Sequence, residues 1–104
     1  MSEGVLVTVT WKIKPELTKT CVETLRDMFP TTRLKKGFRN IRLLRSDVDP
    51  NEFILVQEWD EVRNHQDYMQ FRAETGDIAK LMAMTVSPPQ IGYWALNALA
   101  AAQA

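Results

Sequence analysis

The sequence predicts an α+β fold of ferredoxin-like topology, a βαββαβ sandwich of four strands with helices on one side of the sheet. Three observations carry that prediction. Val5–Ile13 and Phe38–Arg45 alternate apolar and polar residues with the period of a strand. Leu17, Cys21, Leu25 and Met28 follow the first of these stretches at helical spacing. Ser46–Asn51, SDVDPN, has the turn chemistry that joins the second strand to a third as a hairpin.

The first strand, Val5–Ile13, sends Val5, Val7, Val9, Trp11 and Ile13 to one face and Leu6, Thr8, Thr10 and Lys12 to the other. The first face goes against helices, and the threonine face stays mildly polar inside a cavity. Pro15 opens the first helix where its missing N–H is harmless, and Glu16 suits the positive helix end. Pro30 ends that helix, and Thr31–Gly37 is a polar connection. Phe53–Trp59, apolar on both faces, is the central strand. Asp60 caps a helix over Glu61–Glu74, which Gly76 closes. Helical spacing places Val62, Met69 and Ala73 on its buried line, with His65, Tyr68 and Arg72 along one flank. Asp77 caps a short helix through Met84 that buries Ile78, Leu81 and Met82. Pro88 and Pro89 confine the last strand, Gln90–Leu96, to a sheet edge. Asn97–Ala104 is a helix-prone or frayed tail. The sheet face without helices carries too many apolar side chains for water, which calls for a second copy of the chain.

One domain spans residues 1–104, with its core over about 5–96. Basic and acidic residues balance at 13 each, where a nucleic-acid partner would leave a basic excess, so none is expected. Arg33, Lys35, Lys36, Arg39, Arg42 and Arg45 form the one positive cluster and read as a solvated loop and strand edge. The single Cys21 forms no internal disulfide, sits on the first helix's apolar stripe and suits a cytoplasmic chain. Met1–Gly4 shows no signal peptide, and no apolar run approaches the ~20 residues of a membrane span. Cys21 and His65 alone cannot close a zinc site, so no structural metal is expected.

The chemistry-bearing side chains gather where the third strand meets the next helix. Gln57, Glu58, Trp59, His65, Tyr68 and Arg72 all fall within Glu52–Arg72, and His65 is the chain's 1 histidine. The Lys14-Pro15 close of strand one, Lys36-Gly37-Phe38 at the start of strand two and Glu58-Trp59-Asp60 before a helix resemble the antibiotic biosynthesis monooxygenase family. The resemblance covers residues 5–95 in element order. It implies a homodimeric α+β barrel with one pocket per protomer between sheet and helices. It also implies oxidation of anthrones or hydroquinones to quinones by dioxygen, with neither flavin nor metal as cofactor. A neighbouring branch degrades haem.

Residue by residue, the family's tryptophan at the end of strand three falls on Trp59, and His65 holds the place of a pocket tyrosine six residues on. Leu55 stands where anthrone-oxidising members have an asparagine, with Gln57 on the same strand face as its substitute. The haem-degrading branch uses a strand-one asparagine and a histidine ten residues after the tryptophan. Here those places offer Thr8 or Thr10 and Met69, which disfavours haem.

Ground-state dioxygen reacts slowly with closed-shell molecules, and a phenol becomes electron-rich enough once it loses a proton. A site for that reaction needs a dry aromatic-lined slot, a base near neutrality and donors for the oxyanion. His65 has the intrinsic range of such a base, near ~6.5, and Trp59 supplies a flat wall. Gln57, Tyr68 and Arg72 can reach substrate oxygens, and Leu55, Thr8 and Thr10 complete the expected contacts. Arg72 reads equally as an ion-pair partner of Glu61, Asp67 or Glu74, and His65 equally as a structural residue, whereas the resemblance favours Trp59 as pocket wall over core. Two functions therefore stand side by side. One is a cytoplasmic, homodimeric, cofactor-independent monooxygenase of a small phenolic, hydroquinone or anthrone-type aromatic. The other is a non-catalytic ligand-binding or dimerisation module of the same fold.

Overall fold

The structure, a computed structural model, describes residues 3–104. Its four strands are β1 (Val5–Lys12), β2 (Phe38–Arg45), β3 (Glu52–Trp59) and β4 (Gln90–Ala95), paired antiparallel in the order β2-β3-β1-β4. The register sets Val5 opposite Trp59, Val7 opposite Gln57, Val9 opposite Leu55 and Trp11 opposite Phe53. All eight are buried on the face that the helices cover. Fully burying an aliphatic such as Val7 or Ile13 contributes about 1.5–3 kcal/mol, so this inner face is the main source of stability. As expected, β3 is central and β4 lies at an edge.

The helices are α1 (Thr18–Thr32), entered through a tight turn at Pro15–Leu17, then α2 (Val62–Glu74) and the short α3 (Asp77–Met82). Pro30 does not end α1, which runs on to Thr32. A proline removes one backbone donor, here the one owed to the carbonyl of exposed Arg26, which water can satisfy. Beyond it the turn is re-tied, because Thr32 Oγ1 donates to the Met28 carbonyl at 3.1 Å and the Arg33 N–H to Phe29 at 3.0 Å.

The cap of α2 also moves. Asp60 is held by Arg39, whose Nε lies 2.8 Å from Oδ1, so the helix starts from Glu61, whose backbone N–H donates to Asn64 Oδ1 at 3.0 Å. Gly37, at φ 81°, leaves room for that Asn64 side chain, which a Cβ would strike. The larger correction is rotational. The buried line of α2 is His65, Tyr68 and Arg72, whereas Val62 and Ala73 are exposed and Met69 is half-buried.

Gly76, at φ 84°, separates α2 from α3. It supplies the left-handed residue that a helix end favours. Asp77 sits inside the first turn of α3 instead of capping it, and the helix stops at Met82. Ile78 and Leu81 are half-buried, Met82 is exposed, and Met84 is buried just past the helix. Residues 97–104 form no helix and are exposed.

Candidate active site

Between the inner sheet face and the three helices lies a cavity of about 210 Å³. Its walls are mainly aliphatic, aromatic and thioether groups, among them Val9, Trp11, Leu25, Leu55 and Leu81. Polar side-chain groups in the lining come from Gln57, Tyr68, Arg72 and Thr85, while the Trp11 indole N–H is buried toward the Cys21 thiol, which is outside the lining. Met82 and Ile91, both exposed and both in the lining, mark where it opens to solvent. A cavity of about 150 Å³ holds benzene, and drug-sized ligands use about 300 Å³ or more. The space therefore suits one aromatic ring or two fused rings.

Three of those polar residues are already committed. Thr85 Oγ1 donates to the Met82 carbonyl at 2.9 Å. Thr32 Oγ1 spends its proton on the Met28 carbonyl, so it must accept from Tyr68 Oη, 2.8 Å away. Arg72 donates from Nε to Tyr68 Oη at 3.0 Å and from Nη1 to Asp77 Oδ2 at 2.8 Å. Its Nη2 donates to the Met28 carbonyl at 2.9 Å and to Thr32 Oγ1 at 3.3 Å. Tyr68 and Arg72 thus form a clamp across α1, α2 and α3. The Thr75 hydroxyl, together with Arg72 and Lys80, holds the Asp77 carboxyl below its ordinary pKa against the opposing effect of partial burial.

Gln57 differs from them. It is buried in the cavity wall, and its Oε1 accepts from Trp59 Nε1 at 3.0 Å. An indole nitrogen can only donate, so the carboxamide oxygen is engaged and the NH2 group is what Gln57 offers to the cavity.

The sequence profile described as antibiotic biosynthesis monooxygenase matches residues 4–73. The chain belongs to the antibiotic biosynthesis monooxygenase family. No curated protein matches the sequence. Among solved structures, a Nitrosomonas europaea protein of the same family designation superimposes with TM-score 0.85 at 13% identity, covering 97% of both chains. Rv0793 from Mycobacterium tuberculosis gives TM-score 0.80 at 18% identity over 94% of this chain and 100% of its own. SnoaB, a cofactor-independent oxygenase from Streptomyces nogalater, gives TM-score 0.80 at 11% identity over 93% and 96%. At these identities the structural likeness establishes the fold.

Against the family pattern, the structure sorts the residues that the sequence brought forward. Leu55, Gln57, Tyr68 and Arg72 line the cavity together. Thr8 and Thr10 do not: they project from the sheet face without helices, where Thr8 Oγ1 lies 3.4 Å from Trp94 Nε1. Strand alternation gives the reason, since the inner positions of β1 are Val5, Val7, Val9 and Trp11. Glu58 projects to that outer face too, where it accepts from Asn40. Arg72 pairs with Asp77 and not with Glu61, Asp67 or Glu74.

Trp59 and His65 do come together, with ring centroids 5.9 Å apart and both 0% exposed. They are outside the cavity lining and stand behind Gln57 and Tyr68. His65 Nδ1 is 2.8 Å from Tyr93 Oη, and its Nε2 is buried with no hydrogen-bond partner among the described residues. Burial pushes the imidazole pKa from 6.5 down to about 4. Tyr93 in turn borders a surface depression with Val62 and Trp94 at the far end of α2, and burial raises its hydroxyl pKa.

Thr32, Asp77 and Tyr93 are the polar partners that sequence reasoning missed as part of this site. One signal for Thr32 was present: it extends the Cys21, Leu25, Met28 stripe by four residues, past the proline. Tyr93 shares the strand alternation of Ile91 and Ala95, which fixes its face only once the pairing with Val7 is known.

Proposed function

We propose that the chain is a cofactor-independent oxygenase acting on a phenolic or hydroquinone substrate of one or two rings. The observation that carries this reading is the apolar cavity with a single uncommitted amide donor, Gln57, in a chain of this family. In the reaction, a phenolate gives electrons to dioxygen. One oxygen atom becomes a new ring carbonyl, and the other leaves as water with two protons. Gln57 NH2 stabilises the substrate oxyanion in a medium where such a bond is worth more than in water.

His65 has a different part in this reading from the general base that its residue type suggested. It is neutral at pH 7, makes no contact with the cavity, and its basicity is low. Substrates with an acidic hydroxyl, which ionise at the cavity mouth, fit the site best. The tricyclic anthrones fit the available volume less well than hydroquinones or naphthols do. Haem gains nothing from the geometry, because the single imidazole is absent from the lining.

Oxygen uptake measured on a panel of hydroquinones, naphthols and anthrones tests the proposal. Turnover is expected with the one- and two-ring members, and Gln57→Leu is expected to lower it by about tenfold or more. Full activity in Gln57→Leu removes the amide from the mechanism. The absence of a base in the lining is what keeps the ligand-binding module as a second reading. Thermal stabilisation by the same compounds without oxygen uptake selects that module.

A second copy of the chain is proposed to cover the outer sheet face. Leu6, Ile54 and Val56 are half-buried there, Leu44 is exposed, and Trp94 is 60% exposed. Large apolar side chains on an otherwise uncovered sheet face favour an interface, and members of this family are usually small dimers. Val56→Glu would set a charge into the middle of that face twice, once from each subunit. The dimer is expected to weaken by about two orders of magnitude, seen in sedimentation as a shift to monomer. A wild-type protein that sediments as a monomer at every concentration refutes the interface.

A further inference from the structure

A carboxamide in an apolar wall presents two opposite chemistries, an oxygen that accepts and an NH2 that donates. Which one a ligand meets decides what the cavity will hold. For Gln57 the choice is made from behind. Trp59, two residues further along β3, donates its indole N–H to Oε1 at 3.0 Å. Trp59 has no freedom to turn away, since it is 0% exposed and ringed by aromatic groups. Phe38 lies edge-on at 5.3 Å, Tyr68 tilted at 5.2 Å and His65 edge-on at 5.9 Å between ring centroids. Of the other polar groups of the wall, Tyr68 bonds to Thr32 and Arg72, Thr85 bonds to the Met82 carbonyl, and the Trp11 indole N–H is buried toward the Cys21 thiol, away from the lining.

We propose that Trp59 is a positioning residue that locks the Gln57 carboxamide with its NH2 toward the cavity, so that the site selects small ring ligands bearing a hydrogen-bond-accepting oxygen. This deepens the proposed function and rests on its reading of the cavity as the ligand site. A ligand oxygen satisfies the buried donor. A ligand carrying only an N–H leaves two donors facing each other, and an unpaired polar group in such a slot is strongly disfavoured. A quinone carbonyl and a phenolate oxygen both meet the requirement, so substrate and product are held by the same atom.

Three probes of similar shape separate the possibilities without any turnover: 1-tetralone, which only accepts, tetralin, which does neither, and indole, which donates. In the wild type, 1-tetralone is expected to bind about fivefold tighter than tetralin, with indole no better than tetralin. Trp59→Phe releases the carboxamide to flip, so the tetralone preference falls and indole gains. Gln57→Met removes the preference altogether. Should Trp59→Phe fail to fold, the wild type alone decides. The Gln57 side-chain NH2 signals, assigned by their loss in Gln57→Met, are expected to shift on adding 1-tetralone and to stay put with tetralin.

Equal affinity for tetralone and tetralin overturns the inference, as do unmoved NH2 signals or a folded Trp59→Phe that keeps the wild-type preference. Binding of neither compound overturns the cavity reading itself, and this inference with it. Equal binding of both leaves the cavity reading standing and removes only the orientation.

Discussion

Arg72→Met is expected to destabilise the fold by about 2–4 kcal/mol, because it strips several buried hydrogen-bond acceptors of their donor at once. Arg72 is 5% exposed and its guanidinium joins three helices, reaching Met28 and Thr32 on α1, Tyr68 on α2 and Asp77 on α3. Methionine fills much of the same volume, so little of the loss comes from an empty space. What remains is a set of partners stripped of their donor: a carboxylate, a backbone carbonyl and two hydroxyls. A domain of this size is stable by about 5–15 kcal/mol in total, so the variant sits near its unfolding threshold. Asp77→Asn is the internal control. Its side chain is 27% exposed and Asn still accepts a hydrogen bond, so a change of about 1 kcal/mol is expected there. Urea unfolding of the three proteins checks both values. A loss below about 1 kcal/mol in Arg72→Met means that the clamp holds nothing.

That clamp also shows where sequence reading reaches its limit. Strand alternation, the α1 stripe and the SDVDPN turn are local patterns, and all the main elements appear where they predict. The buried line of α2 is not a local property. Hydropathy alone favours Val62, Met69 and Ala73, and polar side chains go inside only where partners wait for them. Those partners come from far along the chain: Tyr93 lies 28 residues from His65, Thr32 lies 36 from Tyr68, and the Met28 carbonyl lies 44 from Arg72. His65, Tyr68 and Arg72 were legible as one helix flank, and Gln57 as the polar group of β3. Which flank faced inward was not legible. The α2 cap erred for the same kind of reason, since Asp60 was taken by Arg39 on β2, 21 residues away. Trp59 and His65, expected to look into the cavity together, touch each other as a layer outside its lining.

The same burial makes His65 the source of a pH dependence in stability. Folding lowers its pKa from 6.5 to about 4, so the folded chain keeps the imidazole neutral through a range where the unfolded chain protonates it. Between those values the unfolded state binds more protons, and stability rises with pH. The contribution is fully present above pH 6.5, falls as the pH drops toward 4 and is flat below that. A shift of this size corresponds to on the order of 3 kcal/mol of stability lost on acidification. The cause is the surroundings. Tyr93 Oη, Trp59 and the Tyr68 ring face the imidazole, and no ion pair to it is present among the described residues. Nothing there rewards a positive charge, and Nε2 has no acceptor to receive a second proton's hydrogen bond. Since the chain has 1 histidine, the part of the slope between pH 7 and pH 5 that a His65 substitution removes is assigned to that one imidazole. Chemical unfolding across that interval is expected to lose about 2 kcal/mol in the wild type. His65→Gln, which keeps a polar group of similar size without a titrating nitrogen, is expected to be less stable at pH 7 but flat over the same interval. Equal slopes in the two proteins would mean that the imidazole titrates normally, and so that the packing of Trp59, Tyr68 and Tyr93 around it is looser than these distances describe.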